Sequence, residues 1–332
     1  MNRVILLNKR PVGIPVLNDF RFDTEPTPVP DNGQVLLKTR YVSVDPYLRG
    51  RMNEGESYVP PLQLNQPMSS AIIAEVINSN NTEFKIGDFV MGNLAWKEFQ
   101  VSRGDGLQGI HTAAPYLSGY LGILGMTGLT AYLGLTIIGS PRPGETLVVS
   151  GAGGAVGSVV GQVAKILGCR VVGITGTDEK AHLLKSKFHF DEVTNYKTTL
   201  NLSEAIKAAC PNGVDIYFDN VGGKISDAVL ANINKHARIP LCGAISLYNQ
   251  TSTILGPYVQ PLLVTKSALM QGFIVSDFSD RFPNAVHQLF DWLKAGKLVY
   301  HETIIEGFEN IPQAFIDLFE GKNEGKMIVK VY

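Results

Sequence analysis

Gly151, Gly153, Gly154 and Gly157 follow an apolar run, Thr146–Ser150, and precede a segment in which Val156, Val159, Val160, Val163 and Ile166 recur at helical spacing. A strand, a glycine-rich turn and a helix in that order make a cradle for a pyrophosphate. The glycines let backbone N–H groups approach the phosphates, and the helix start adds partial positive charge. The next apolar run, Val171–Thr175, ends in Gly176-Thr177 with no carboxylate at its tip, and Lys180 follows within one helical turn. A carboxylate at that tip holds the ribose hydroxyls of NAD. A glycine and a lysine instead leave room for a 2′-phosphate and neutralise it. Asp178 and Glu179 keep an NAD reading open, although acids in a first helical turn also serve the helix dipole. The charge pattern favours NADP(H).

Two tyrosines could act on a substrate. Tyr47 sits in Asp-Pro-Tyr, where Pro46 stiffens the backbone, and Tyr248 sits in a Leu-Tyr-Asn turn. A phenol can donate to a developing oxyanion or return a proton. Each could equally be a packing tyrosine. Asp45, Arg49 and Arg51 read as structural ion-pair partners. Metal ligands are sparse: residues 1–110 hold neither Cys nor His, no Cys-x-x-Cys pair occurs, and the histidines (111, 182, 189, 236, 287, 301) are scattered. No metal site is therefore expected, which disfavours a zinc alcohol dehydrogenase. Reduction of a carbon–carbon double bond conjugated to a carbonyl fits better. There the charge collects on the carbonyl oxygen, where a few hydrogen-bond donors suffice.

The elements that must position these groups fall into two textures. Residues 1–120 are β-rich, with strands expected at Val35–Lys38, Ala71–Ile77 and Asp88–Met91 between Pro- and Gly-marked turns. From Thr146 to about Ile274 strands and helices alternate, with further strands at Val214–Asp219 and Ile239–Cys242. That pattern implies a parallel sheet with helices on its faces. The tail adds a helix, Pro312–Phe319, and a strand, Met327–Val331, which can return to the first domain.

The chain has 332 residues, of which 45% are apolar and 18% charged, and Lys+Arg 29 against Asp+Glu 30 leaves a net charge of -1. A near-neutral balance gives no basic face for nucleic acid or a membrane surface. The apolar stretch Val4–Leu7 is too short for a signal peptide, and no run approaches the roughly 20 apolar residues of a membrane span. Cys169, Cys210 and Cys242 do not describe a disulfide framework, so a reducing cytoplasm is expected.

Several segments together resemble the medium-chain dehydrogenase/reductase superfamily, in its zinc-free branch of prostaglandin reductases, plant double-bond reductases and bacterial curcumin reductases. They are DPYLRGRM (45–52), GMTGLTAYLGL (125–135), the stretch 144–176 around the glycine turn, DIYFDNVGG (215–223), IPLCGAISLYN (239–249), MQGFIV (270–275), EGFENIPQAF (306–315) and GKNEGK (321–326). The resemblance implies an α/β fold: a GroES-like β-rich catalytic domain (1–122 and 300–332) plus a doubly wound Rossmann NADP-binding domain (123–299). It places Gly151, Gly154 and Gly157 on the family's phosphate turn, with Ala155 and Val156 between them, Lys180 and Tyr196 on the 2′-phosphate, and Asn220 near the cofactor ribose. It sets Cys242, Gly243, Ala244, Ile245, Ser246, Tyr248, Phe273, Ile274 and Val275 on segments lining the nicotinamide side. Met126 matches a backbone contact to the nicotinamide amide, Asn323 a tail residue reaching the cofactor, and Tyr47 the substrate-side tyrosine. Read without the resemblance, Cys242 and Phe273 could be plain core, Asn220 a turn residue and Tyr196 a surface tyrosine. A further tyrosine found in some members is replaced here by a stretch with Thr265 nearest its place.

The expected activity is NADPH-dependent reduction of enals or enones. A quinone reductase of the same superfamily is the alternative, and a nucleotide-binding protein without turnover the alternative from another class. The implied assembly is a homodimer joined sheet edge to sheet edge through Gly272–Val275, and loops such as 53–64 would shape the substrate pocket.

Overall fold

Apolar runs punctuated by Pro and Gly become short strands in the computed structural model, which describes residues 1–55, 57–110 and 117–332. Glu56, in the expected pocket loop, and His111 lie outside the described residues. In chain order the elements begin with β1 (Asn2–Leu7), β2 (Phe20–Glu25), β3 (Val35–Ser43), the single helical turn α1 (Leu48–Arg51), β4 (Ser69–Ser79), β5 (Phe89–Ala95), β6 (Phe99–Ser102) and β7 (Gln108–Ile110). They continue with α2 (Met126–Leu133), β8 (Thr146–Ser150), α3 (Ala155–Ile166), β9 (Arg170–Thr175), α4 (Asp178–Ser186), β10 (Glu192–Asn195), α5 (Leu202–Ala209), β11 (Val214–Phe218), α6 (Gly223–Leu230) and β12 (Ile233–Leu241). The last are α7 (Gln260–Lys266), β13 (Leu269–Gly272), α8 (Phe282–Lys294), β14 (Glu302–Glu306), α9 (Ile311–Glu320) and β15 (Lys326–Lys330).

The chain divides into two units, one of Met1–Leu121, Glu302–Asn323 and Met327–Tyr332, the other of Gly122–His301 and Glu324–Lys326. In the first, an antiparallel sheet runs in the order β14-β15-β3-β4-β5-β7, with β6 also pairing to β3 and β1 pairing to β2. Its core gathers Leu37, Val42, Trp96 and Phe315. Phe20 stacks on Trp96 at 6.2 Å between ring centroids. The buried indole N–H donates to Ser70 Oγ at 2.8 Å, so no donor is orphaned there. Strand β3 runs past the expected Lys38 to Ser43, with two register shifts against β4 that accommodate its polar middle. Strand β2 escaped sequence reading because FRFDTE exposes most of its side chains and pairs only with β1.

The second unit holds a parallel sheet in the order β10-β9-β8-β11-β12-β13. This is the doubly wound Rossmann arrangement, so the fold is α/β with a β-rich partner unit. All five residues of β8 are buried, as a strand covered on both faces must be. After β8 the chain winds outward to β9 and β10, then returns to lay β11 on the other side of β8. Strand order reverses there, which opens a crevice beyond the carboxyl ends of β8 and β11. Among the described residues no helix is long and apolar enough to cross a membrane.

Gly161 on helix α3 and Gly173 on β9 make room for the Phe190 ring between helix and sheet. A Cβ on Gly161 would come within 2.0 Å of the Phe190 ring, itself buried. Gly161→Val should therefore force Phe190 out of place and destabilise the protein by about 1–3 kcal/mol. A chemical-denaturation curve with an unchanged midpoint would show that the α3 contact is not tight.

Candidate active site

The turn after β8 is shaped by backbone geometry. Gly151 has φ 61°, a left-handed conformation that favours glycine. Ala152 N donates to Ile174 O at 3.0 Å, pinning the turn to β9, and Gly154 N donates to Gly151 O at 3.0 Å. Gly154 is the extended cap residue of α3 and carries no capping side chain. Ala155 and Val156 follow half-buried at the helix start. The first-turn N–H groups of α3 have no partner within the helix and suit a phosphate. Gly157 closes the structure from behind, since a Cβ there would stand 2.4 Å from Gly151 O.

A second corner forms beyond β9. Thr177 caps α4, its hydroxyl accepting from Lys180 N at 3.2 Å. The Lys180 side chain lies along the glycine turn: a Cβ on Gly153 would meet its Cδ at 2.9 Å. Tyr196 lies across Gly176, whose Cβ would meet the phenol oxygen at 3.1 Å. Burial lowers the Lys180 pKa, the charge of Glu324 opposes that fall, and Lys197 adds to it. Asp178, the acid that kept an NAD reading open, accepts from Asn195 Nδ2 at 2.7 Å. This corner therefore presents a lysine and a phenol beside a glycine, which is chemistry for a phosphate rather than for ribose hydroxyls.

The opposite wall is built on Asp219, just past β11, which sequence reading quoted but gave no role. Its Oδ1 accepts from Ser150 Oγ (2.9 Å), Tyr217 OH (2.8 Å), Val221 N (2.9 Å) and Gly222 N (2.9 Å). Its carbonyl accepts from Cys242 N and Gly243 N. One buried residue, through its carboxylate and its backbone carbonyl, thus ties the ends of β8 and β11 to the loop after β12. The available signal was an acid closing an apolar strand, where an unpaired carboxylate is too costly to bury. Asn220 is fixed by the same network, donating from Nδ2 to Ser150 O and from N to Ser150 Oγ.

The loop from Cys242 to Tyr248 folds back on this wall. Ile245 N donates to Asn220 O, Ser246 N to Val221 O, and Ser246 Oγ to Val221 O. The Cys242 thiol is pushed up to about 12 by burial and by Asp219, so it stays protonated. Tyr248 is also raised by burial, and its hydroxyl accepts from Ala244 N at 3.4 Å, turned toward its own loop. The Phe273 ring packs edge-on to Phe218 at 6.1 Å, and a Cβ on Gly134 would meet it at 2.3 Å. The ring is half-buried between these partners, while Ile274 and Val275 lead into a short helical turn ending at Arg281. Met126 opens α2, 37% exposed. Thr265 bonds its own helix, donating to Pro261 O.

In the other unit, Tyr47 begins the α1 turn. Burial is the main cause of its raised pKa, with Asp45 and Tyr58 adding to it and Arg51 opposing them. A phenol is protonated across the neutral range in any case, and the shift makes this one a weaker acid that can still donate a hydrogen bond. Ser43 Oγ donates to Asp45. Arg49 donates to the carbonyls of Pro11 and Gly13, and Arg51 to those of Pro60 and Ser69, so both guanidiniums tie backbone segments together. Asn323 lies in the turn between α9 and β15, half-buried. Among the described residues, no three His, Cys, Asp or Glu groups gather in a way that could hold a metal ion.

Comparison with known proteins gives the same frame. Residues 3–110 match the family described as the N-terminal domain of oxidoreductase, and residues 155–292 the family described as zinc-binding dehydrogenase. A Bacillus subtilis (strain 168) protein named as an NADP-dependent oxidoreductase, YfmJ, is 59% identical over 329 residues, 98% of this chain and 97% of the relative. An NADP(+)-dependent 2-alkenal reductase of Nicotiana tabacum is 43% identical over 335 residues, 99% and 97% of the two chains. The crystal structure of CurA from Vibrio vulnificus in complex with NADPH superposes with a TM-score of 0.95 at 42% identity, covering 99% of each chain. The cofactor is NADP(H), and the glycine turn with its lysine corner fits it. The chain belongs to the medium-chain dehydrogenase/reductase superfamily, in its zinc-free branch of NADP-dependent reductases.

Proposed function

We propose that this reductase saturates the carbon–carbon double bond of α,β-unsaturated aldehydes and ketones. In this reading Gly151, Gly154, Ala155, Val156 and Gly157 hold the pyrophosphate. Lys180 and Tyr196 hold the 2′-phosphate. Asn220, Met126, the loop 242–246, the segment 273–275 and Asn323 hold the ribose and nicotinamide. NADPH, when bound, supplies the hydride, which goes to the β carbon of the substrate. The negative charge that then gathers on the carbonyl oxygen needs a donor. Tyr47 is the residue we assign, because it offers a half-buried phenol, protonated at neutral pH and able to donate, at the head of the α1 turn beside Asp45 and Arg51. That protonated phenol carries the reading, and the 2-alkenal reductase named among the relatives supports the substrate class. Tyr248 is the second candidate: its oxygen accepts from Ala244 N, which does not use its own proton. The domain limits we assign are 1–122 with 300–332 for the substrate domain and 123–299 for the cofactor domain.

The β13 edge suits self-association into a homodimer. In the sequence it follows a stretch of exposed apolar side chains, including Leu255 at 89%, Tyr258 at 89% and Val264 at 80%. An unpaired sheet edge with apolar neighbours is normally covered.

With NADPH, open-chain enals and enones should be turned over faster than ring quinones in steady-state absorbance assays, and Tyr47→Phe should lower kcat by about 10–100-fold while leaving the NADPH dissociation constant within about twofold. Faster quinone turnover would replace the substrate class, and an unchanged kcat would remove Tyr47 from the chemistry. Lys180→Ala should weaken NADPH by about tenfold or more and spare NADH; equal loss for both would refute its phosphate role. Val264→Lys combined with Leu269→Lys should convert a sedimenting dimer to a monomer. Sedimentation as a monomer before substitution would rule the interface out.

A further inference from the structure

Glu324 is one residue from the glycine turn. Gly325 N donates to Gly153 O at 2.9 Å, and Gly154 pairs with Gly325 as a short parallel bridge. The backbone here has little freedom: Lys326 N donates to His301 O at 3.0 Å, and a Cβ on Gly325 would stand 2.0 Å from that same oxygen. Residues 324–326 are thus locked between the turn and His301. Lys180 lies along Gly153 on the same turn. A carboxylate and the lysine assigned to the 2′-phosphate share one corner.

The carboxylate is also held in place. Glu324 Oε2 is 3.3 Å from His301 Nε2, and His301 Nδ1 is 3.2 Å from Lys187 Nζ. An ammonium group can only donate, so Nδ1 accepts, and Nε2 then carries the hydrogen that is given to Glu324. A neutral histidine satisfies the whole chain from Lys187 to Glu324. The electrostatic influence of Glu324 on Lys180 is consistent with this placement.

We propose that Glu324 is a cofactor-selectivity residue: its carboxylate, fixed by His301 beside Lys180, opposes the 2′-phosphate and holds the preference for NADPH over NADH below what Lys180 and Tyr196 alone would give. The 2′-phosphate brings about two negative charges into this corner, and NADH brings none there. A fixed like charge nearby weakens only the phosphate-bearing cofactor. With the cofactor absent, the same carboxylate offsets the repulsion between Lys180 and Lys197. The inference rests on the assignment of Lys180 to the 2′-phosphate.

Cofactor binding to the full-length protein tests it, read from the fluorescence of bound NADPH and NADH at two salt concentrations. Glu324→Gln should tighten NADPH by about three- to tenfold and leave NADH within about twofold. Glu324→Lys should tighten NADPH further, and its gain should shrink as salt rises. A shift of equal size for both cofactors, or an unchanged or weaker NADPH dissociation constant in the glutamine variant, overturns the proposal. Lys180→Ala is measured beside them. If it leaves NADPH preference intact, the phosphate assignment itself has failed. If it abolishes the preference while the Glu324 series is flat, only the role of Glu324 has.

Discussion

The carbonyl oxygen of Gly151 stands 2.4 Å from the point where a Cβ on residue 157 would lie. That spacing governs the Rossmann unit, because it sets how near the start of α3 can come to the end of β8. A single methyl group would lift the helix and swing its first-turn N–H groups away from the crevice. The strand below has no slack to absorb such a shift, since every residue of β8 is buried between its neighbours. Close-packed interiors pass a displacement on rather than absorb it. The shape of the turn, and with it the direction of those N–H groups, is therefore set by packing first.

Asp219 plays the corresponding part on the far side of the crevice. A carboxylate 2% exposed would be prohibitive if unpaired, yet four donors converge on one of its oxygens. Those donors come from β8, β11 and the turn after it, and its backbone carbonyl adds the loop at residues 242–243. The result is a fixed wall whose polar groups are already satisfied among themselves. Asn220 and the 242–248 loop owe their positions to that wall and are ordered by it in advance.

Much of this was legible in the sequence, and the reason is periodicity. The β8–turn–α3 unit shows a buried strand, glycines and a valine stripe at helical spacing, and each signal depends only on near neighbours. Lys180 was legible because a helix start follows its strand by a fixed distance. What escaped depends on contacts between distant segments. Phe273 sits in a segment just past β13, but only the fold shows its ring pressed on Gly134 and Phe218. Tyr248 has the chemistry of a proton donor, and only its turn geometry aims the hydroxyl at Ala244 N. Glu324 reads as one more surface acid in GKNEGK until the backbone of Gly325 is seen bonded to Gly153.

The same distinction explains why the lysine corner is balanced rather than maximally positive. Lys180 is partly withdrawn from water along Gly153, which disfavours its charge, and Lys197 repels it further. A corner built only of cations would hold its lysine less firmly charged when no phosphate is present. Glu324 supplies the opposing charge from a backbone segment locked to the glycine turn, so it cannot simply withdraw when the phosphate comes. Its pairing with His301 gives the carboxylate a donor of its own. On the proposed assignment, selectivity at this corner is a difference between two nearby interactions of opposite sign, and a change in either would move NADPH without touching the glycine turn.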